Sequence, residues 1–271
     1  TRVRSSAASD VYKRQPLPRL EADDAGDDLV GDKGTGSMSG KLYGLGLGPG
    51  DPELITLKAH RILQSVPVIA WPAPDTGPSF ARSIASPYLP EGQIEVPIVV
   101  PMRTERFPAR DVYDKASVEI AAHLDAGRDV AVLCEGDPFF YGSFMYVFER
   151  LAGNYPTEVV PGVSSMMAAA SAAGRPLAAR NDVLSVVPGP LSDEELTNRF
   201  NAADALAIIK IGRHFNRLRA LIAKMNLLPH AIYIERVSLD SERLMPLADV
   251  AEDTAPYFSM ILIYKGGEDW I

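Results

Sequence analysis

Three glycine-rich turns, each following a short apolar run, carry the residue types most suited to holding a ligand. The first lies in "LYGLGLGPGDPELITLKA" (42–59), the second in "VAVLCEGDPFFYGS" (130–143) and the third in "VVPGVSSMMAAA" (159–170). In an open α/β sheet the carboxyl ends of the strands border one ligand crevice. The pattern therefore predicts that the three turns meet at a single binding site.

The first turn lacks the fingerprints of a phosphate site. In the dinucleotide pattern G-x-G-x-x-G the last glycine is replaced by Pro49 when counting from Gly44, and by Asp51 when counting from Gly46. No G-x-x-x-x-G-K-[ST] motif occurs in the chain. Pro49 and Pro52 each remove a backbone N–H that could bind a phosphate. A less negative ligand is expected, and the plain alternative is a tight turn before a helix that Asp51 caps and Pro52 begins.

The elements that must position these turns follow an alternating α/β pattern. Short runs rich in Val, Ile and Leu predict strands at 41–45, 67–70, 93–96, 129–134 and 157–160, and then at 183–187, 205–211, 231–235 and 257–264. Helices are predicted at 111–126, 164–173, 192–201 and 214–225. The clearest has Val112, Ala116, Ile120 and Leu124 on one stripe, and Gly127 at its end.

The arrangement of these elements predicts two α/β domains, 38–161 and 162–271, of which the second has a mixed sheet. Residues 1–37 are polar and without period, so we expect a disordered and non-native leader with Met38 as the natural start, and a regulatory tail is the alternative.

Composition narrows the class of ligand. The 271 residues carry a formal net charge of -8, which argues against nucleic acid or an anionic membrane as partner. The single cysteine, Cys134, and four scattered histidines show no metal-ligand spacing, so no metal is expected. No apolar run is long enough for a bilayer, and a cytoplasmic location is the default expectation.

Taken together and in order, the three turns resemble the motifs of the S-adenosylmethionine-dependent tetrapyrrole methylases. The resemblance extends from Lys41 to about Tyr264. It implies two α/β domains with a cleft between them, a homodimer, S-adenosyl-L-methionine as methyl donor and no metal. The residues that it implies for the donor are Pro49, Glu135, Gly136, Asp137, Ser164, Ser165 and Ile211. Lys210 and Ile211 depart from the residues that are commoner in the family at that turn.

Within the family, "RDVAVLCEGDPFFYGSFMYVFERLA" and "PLAARNDVLSVVPG" are most similar to the members that methylate C20 of precorrin-2 to give precorrin-3A in cobalamin biosynthesis. That substrate is a tetrapyrrole rich in carboxylates, which arginines suit. The candidates are five arginines that are expected in loops, namely Arg103, Arg106, Arg110, Arg180 and Arg213. No residue identifies itself as catalytic. Asp137 is expected to shape the turn, with capping of the next helix as the alternative.

Other functions remain open from the sequence. The substrate could be the cobalt-containing factor II, or the methyl could go to another ring position. A ribosomal-RNA ribose methylase is disfavoured by the acidic charge, and a noncatalytic metabolite-binding module by the missing nucleotide fingerprints.

Overall fold

The first half of the chain forms a parallel sheet. The computed structural model describes residues 39–100 and 108–266, and the predicted leader, Met38, Arg103 and Arg106 lie outside these ranges. Five strands are present in the described part: β1 (Leu42–Gly46), β2 (Val68–Pro74), β3 (Ile94–Val100), β4 (Val130–Cys134) and β5 (Thr157–Val160). Their order is β3-β2-β4-β1-β5, and every pairing is parallel. The predicted strands are confirmed to within a few residues, and β1 and β4 lie side by side at the centre.

Strand β2 continues four residues beyond its predicted end, through Pro72 and Pro74. It pairs with β4 only from Val68 to Ala70, whereas it pairs with β3 along its whole length. Past Ala70 one edge of β2 is therefore unpaired, and proline is tolerated at such an edge because no ladder N–H is needed there.

Helices cover both faces of this sheet: α1 (Leu57–Ser65), α2 (Phe80–Ala85), α3 (Pro108–Asp125) and α4 (Phe144–Leu151). Side chains of β4 alternate between two cores, with Val130 and Val132 packed under α3 and α4 and Leu133 packed under α1 and α2. Burying an aliphatic side chain of this size contributes about 1.5–3 kcal/mol. Ala116, Ile120 and Leu124 of the predicted stripe are buried, and Gly127 follows with a φ of 74°.

The second half forms a mixed sheet, as predicted. After α5 (Ser165–Ala172) come β6 (Leu184–Pro188), α6 (Asp193–Ala202), β7 (Ala205–Ile209), α7 (Phe215–Lys224), β8 (Ala231–Glu235), β9 (Arg243–Pro246) and β10 (Ser259–Tyr264). The order is β6-β7-β10-β8-β9, in which β6 and β7 are parallel and β10 runs antiparallel to both of its neighbours. The short edge strand β9 is not predicted from the sequence, because four residues ending in proline give little periodic signal.

Both sheets belong to one compact unit. The strands of the first sheet end at Val160 and those of the second begin at Leu184, while the domain boundary at 161 remains a prediction. Among the described residues, no helix combines the length and the apolar character that a membrane span requires.

Candidate functional site

The first two glycine turns are joined to each other by backbone hydrogen bonds. Gly136 N–H donates to the carbonyl of Gly48 at 2.7 Å, and Gly48 N–H donates to the carbonyl of Gly136 at 3.3 Å. Gly48 has a φ of 82° and Gly136 a φ of 62°, the left-handed region in which glycine carries no steric penalty. These turns follow the adjacent strands β1 and β4, so strand pairing brings them together.

The third turn packs against the other two through glycine. A Cβ built on Gly46 would lie 2.5 Å from the N atom of Gly162 and 2.8 Å from the carbonyl oxygen of Gly136. Gly46 and Gly162 therefore approach each other and the Gly136 carbonyl with no space for a side chain, whereas Gly136 is constrained by its left-handed φ. The sequence suggests glycines for close approach to a ligand, whereas here three of them allow the turns to approach one another.

Asp137 fixes the geometry of this junction. Its Oδ1 accepts hydrogen bonds from the N–H groups of Phe139 (2.9 Å) and Phe140 (3.1 Å), and its Oδ2 accepts one from Gly162 N–H at 3.1 Å. Helix α4 begins only at Phe144, after Ser143. The helix-capping alternative is therefore wrong. The carboxylate shapes its own turn and ties it to the third turn.

Asp51 does cap a helix, but a short one. Its Oδ1 accepts from Glu53 N–H at 2.8 Å at the start of a single 3-10 turn, Pro52–Leu54, and Thr56 caps α1 separately. The backbone N–H of Asp51 donates to the hydroxyl of Ser238 at 3.0 Å. Since Ser238 follows β8, this bond links the first turn to the second sheet.

A cleft lies where the turns of the first sheet face the second sheet. It has a volume of about 170 Å³ and is open to solvent on one side. The first sheet contributes Pro49, Phe140, Tyr141 and Ser165, one or more residues from each of the three turns, together with Phe80. The second sheet contributes Ile209, Lys210, Ile234, Arg236, Val237, Leu239 and the run Tyr257, Phe258, Ser259 and Met260. The predicted convergence of the three turns is therefore confirmed.

Aromatic rings dominate one part of the cleft. Phe80 and Phe258 pack with ring centroids 4.5 Å apart, Tyr257 and Phe258 at 5.0 Å, and Phe140 and Tyr141 at 5.1 Å. None of the described residues that line the cleft carries a carboxylate. Ring faces attract a cation without forming an ion pair, so this lining fits a sulfonium joined to a nucleoside with an aromatic base. The described residues also contain no cluster of His, Cys, Asp and Glu that could hold a metal ion.

The residues expected to contact the methyl donor occupy different positions. Pro49 and Ser165 line the cleft, whereas Gly136 and Asp137 form the turn junction. Ser164 is 7% exposed and precedes α5 without capping it through its hydroxyl. Burial raises the pKa of the Glu135 carboxyl, and hydrogen bonds to backbone N–H groups, including that of Ala81, offset part of the rise.

Ile211 does not present its side chain to the cleft. It is fully buried in the core of the second sheet, in the same cluster as Phe215 and Leu218. Its neighbours Ile209 and Lys210 line the cleft instead. Any contact of Ile211 with a ligand would have to use its backbone, so its role stays a prediction.

The arginines predicted for the substrate are not part of the cleft lining in the described residues. Arg110, Arg180 and Arg213 are exposed, and Arg213 Nε donates to Nε2 of His214 at 3.3 Å. The role of these arginines, like that of Arg103 and Arg106 outside the described ranges, stays a prediction.

Sequence reasoning missed the residues from the second sheet. Arg236, Val237 and Leu239 directly follow β8, and the rule applied to the first three turns would have found this "ERVSL" turn too. The run 257–260 gives no such signal. It enters the cleft at the amino end of β10, which lies there only because β10 is antiparallel to its neighbours.

Three curated relatives are similar to this chain over most of its length. Cobalamin biosynthesis protein CobIJ of Mycobacterium tuberculosis is 45% identical over 85% of this chain and 47% of its own length. Precorrin-2 C(20)-methyltransferase of Sinorhizobium sp is 40% identical over 83% of this chain and 95% of its own. Cobalt-precorrin-2 C(20)-methyltransferase of Salmonella typhimurium is 34% identical over 85% and 99%. The chain thus spans about half the length of the mycobacterial relative and nearly all of the other two.

The fold and the cleft define a two-sheet α/β protein with a cleft between its sheets. A solved uroporphyrin-III C-methyl transferase from Thermus thermophilus, in complex with S-adenyl homocysteine, shares this fold with a TM-score of 0.61 and 25% identity over 83% of this chain and 98% of that one. The family model described as Tetrapyrrole (Corrin/Porphyrin) Methylases matches residues 41–251. This chain belongs to that family.

Proposed function

We propose that this protein transfers a methyl group from S-adenosyl-L-methionine to C20 of precorrin-2, giving precorrin-3A in cobalamin biosynthesis. The observation that carries the proposal is the meeting of all three glycine turns at one cleft, with Pro49, Tyr141 and Ser165 among its lining residues. The named activity of the Sinorhizobium relative, 40% identical along nearly its whole length, supports the choice of position on the ring.

The donor would bind in the cleft, where it supplies an electrophilic methyl group on a positively charged sulfur. Pro49 and Ser165 would contact it from the first sheet, and Ile234, Val237 and Met260 offer an apolar surface from the second sheet. The junction of Gly46, Gly136 and Gly162, held by Asp137, would fix the position of the lining residues. Such positioning in a dry site provides much of the acceleration of a displacement reaction.

The described lining residues include no carboxylate, which suits the transfer step. The positive charge on sulfur disappears during the transfer, so a carboxylate in contact with it would stabilise the ground state more than the transition state. Aromatic rings from Phe140, Tyr141 and Phe258 attract the cation more weakly and do not form an ion pair. Asp137 is not such a carboxylate, because its oxygens accept hydrogen bonds from backbone N–H groups of the turn junction.

The acceptor would approach from the open mouth of the cleft. Five arginines, Arg103, Arg106, Arg110 at the start of α3, Arg180 and Arg213, are proposed to bind its carboxylates, since a guanidinium pairs with a carboxylate through two hydrogen bonds. The residue that accepts the proton from C20 is not assigned.

We further propose that the protein acts in the cytoplasm as a homodimer and without a metal. Two large side chains on α4, Met145 and Tyr146, are 38% and 45% exposed and would supply apolar surface for a second copy.

The decisive experiment is anaerobic incubation with precorrin-2 and S-adenosylmethionine carrying a ¹³C-labelled methyl group, followed by NMR of the product. Label at C20 is the expected result. Label at another carbon would refute the assignment of the position, and tight binding of S-adenosylmethionine without any transfer would favour a noncatalytic binding module.

One alternative has its own supporting observation. The Salmonella relative is named for the cobalt-containing substrate and is 34% identical over almost its full length. Parallel assays with precorrin-2 and cobalt-precorrin-2 separate the two, and a clearly higher kcat/KM for the cobalt form would replace the proposed substrate.

A further inference from the structure

The backbone conformation of Arg236 places its side chain at the cleft. It directly follows β8 with a φ of 53°, and its N–H donates to the carbonyl of Phe258 at 2.8 Å. A left-handed conformation at a non-glycine residue is uncommon and costs free energy unless the surroundings enforce it. Here the hydrogen bond to the Phe258 carbonyl holds the left-handed conformation of Arg236. Arg236 and Phe258 both line the cleft.

The guanidinium of Arg236 is only partly satisfied. Its Nη2 donates to the Glu235 carboxylate, whereas its Nε is buried and has no hydrogen-bond partner among the described residues. A buried donor without an acceptor is costly and needs an explanation. The side chain is nevertheless 40% exposed, so the remaining part of the group is accessible.

Glu235 holds this guanidinium in place. The carboxylate is almost fully buried, accepts from the Tyr233 hydroxyl at 2.5 Å and from Arg243 Nη1 at 3.3 Å, and forms an ion pair with Arg236. Burial would raise the pKa of Glu235, but the hydrogen bonds from Tyr233 and Arg236 outweigh it and the pKa is lowered. A carboxylate that stays charged can restrict Arg236 to a single geometry.

A second cation lies on the same cleft. Lys210 follows β7 with a φ of 57°, and its ammonium lies 5.1 Å from the centre of the Tyr141 ring. Within the described residues it makes no ion pair, and Arg236 is the other cationic residue of the cleft lining. No carboxylate among the described lining residues neutralises the pair from inside the cleft.

We propose that Arg236 and Lys210 together bind a carboxylate of a ligand in this cleft. The proposal rests on the proposed function, which supplies two sources of that group: the amino-acid end of the methyl donor and the acid side chains of the tetrapyrrole. Nε and Nη2 share the edge of the guanidinium that faces Glu235, whereas Nη1 has no hydrogen-bond partner among the described residues and can donate to a carboxylate oxygen. The lysine adds a compact positive charge.

Three variants test the pair. Arg236→Met and Lys210→Met each remove one cation of the cleft. Arg243→Met is the matched control, because it also removes a guanidinium bonded to Oε1 of Glu235 but does not line the cleft. Calorimetry measures the Kd of S-adenosylhomocysteine, which has the carboxylate, and of 5′-methylthioadenosine, which lacks the amino-acid part. Steady-state assays give the KM for precorrin-2.

If the donor supplies the carboxylate, Arg236→Met and Lys210→Met raise the Kd of S-adenosylhomocysteine by about tenfold or more and leave that of 5′-methylthioadenosine unchanged. If the tetrapyrrole supplies it, the same variants raise the KM for precorrin-2 by a similar factor. Arg243→Met changes neither.

The proposal is overturned if both variants leave both quantities at wild-type values, or if Arg243→Met has the same effect as Arg236→Met. Failure of the proposed function has a different signature. The wild-type chain would then transfer no label to C20, while calorimetry would still report whether the variants discriminate between the two nucleosides.

Discussion

The substitution Gly162→Ala tests whether the contact among the three turns holds the cleft together. The alanine Cβ would lie 2.8 Å from Cα of Gly46 and still closer to the carbonyl oxygen of Gly136. Carbon atoms in contact normally lie about 3.5–4.0 Å apart, so the turns must separate by roughly 1 Å. Both close neighbours are backbone atoms, and neither can rotate away as a side chain would.

The magnitude follows from two opposing effects. Overpacking of a tight site costs about 1–3 kcal/mol. Replacing glycine by alanine restricts the unfolded chain and returns about 0.4–1 kcal/mol. A net loss of about 1–2 kcal/mol corresponds to a decrease in Tm of about 2–8 °C for a chain of this size. A displacement of 1 Å near reacting groups can cost about a hundredfold in rate. The rate of methyl transfer should therefore fall by a larger factor than the equilibrium constant for folding.

Thermal unfolding, calorimetry with S-adenosylhomocysteine and the C20-methylation assay measure these effects. Gly153→Ala is the matched control, because a Cβ there meets no atom within 4 Å and the residue has no left-handed φ. If Gly162→Ala matches Gly153→Ala in Tm, in affinity and in rate, the three-glycine junction does not organise the site.

Three further perturbations have defined outcomes. Asp137→Asn should cost about 1–3 kcal/mol of stability and weaken binding of S-adenosylhomocysteine, because an amide cannot accept from Phe139, Phe140 and Gly162 at once. Hydrogen bonds from two lysines lower the pKa of Glu158 to about 2. The stabilisation by the Glu158 carboxylate is therefore complete above pH 4.5 and is lost as the pH falls from 4.5 to about 2. Glu158→Gln should therefore lower Tm at pH 7, and the difference from wild type should vanish near pH 2. Tyr146→Glu should lower the sedimentation coefficient if α4 forms the dimer interface.

Each of these has a contradicting outcome, and two have a control variant. Asp129→Asn alters a similar carboxylate, which accepts from Lys41 N–H at 2.7 Å just before β4, away from the cleft. An equal loss of affinity in both variants would contradict a specific role for Asp137. Parallel Tm curves for wild type and Glu158→Gln across the pH range would contradict the assigned pKa. Val118→Glu, at a residue of α3 that is 72% exposed, controls for added charge, and a Tyr146→Glu protein that sediments like wild type would exclude α4 from the interface.

Much of the local structure could be predicted because its causes are local. The stripe on α3 follows from a spacing of four residues, and its end follows from Gly127, where a left-handed conformation is needed. The central strands β1 and β4 are continuous apolar runs, as expected for strands buried on both faces. The junction of the three turns was predictable for a related reason, since polar residues at the ends of parallel strands must share one edge of the sheet.

What the sequence by itself determined, then, was most of the helices and strands, the meeting of the three turns at one edge of the first sheet and the family. The tertiary structure alone decided that Gly46 and Gly162 contact each other, that Ile211 faces the core, and that Arg236 faces the cleft. It also decided that β10 runs antiparallel, which brings Phe258 to the cleft. Periodicity and turn chemistry depend on residues a few positions apart, whereas strand order and direction depend on pairing between segments that are far apart in the chain.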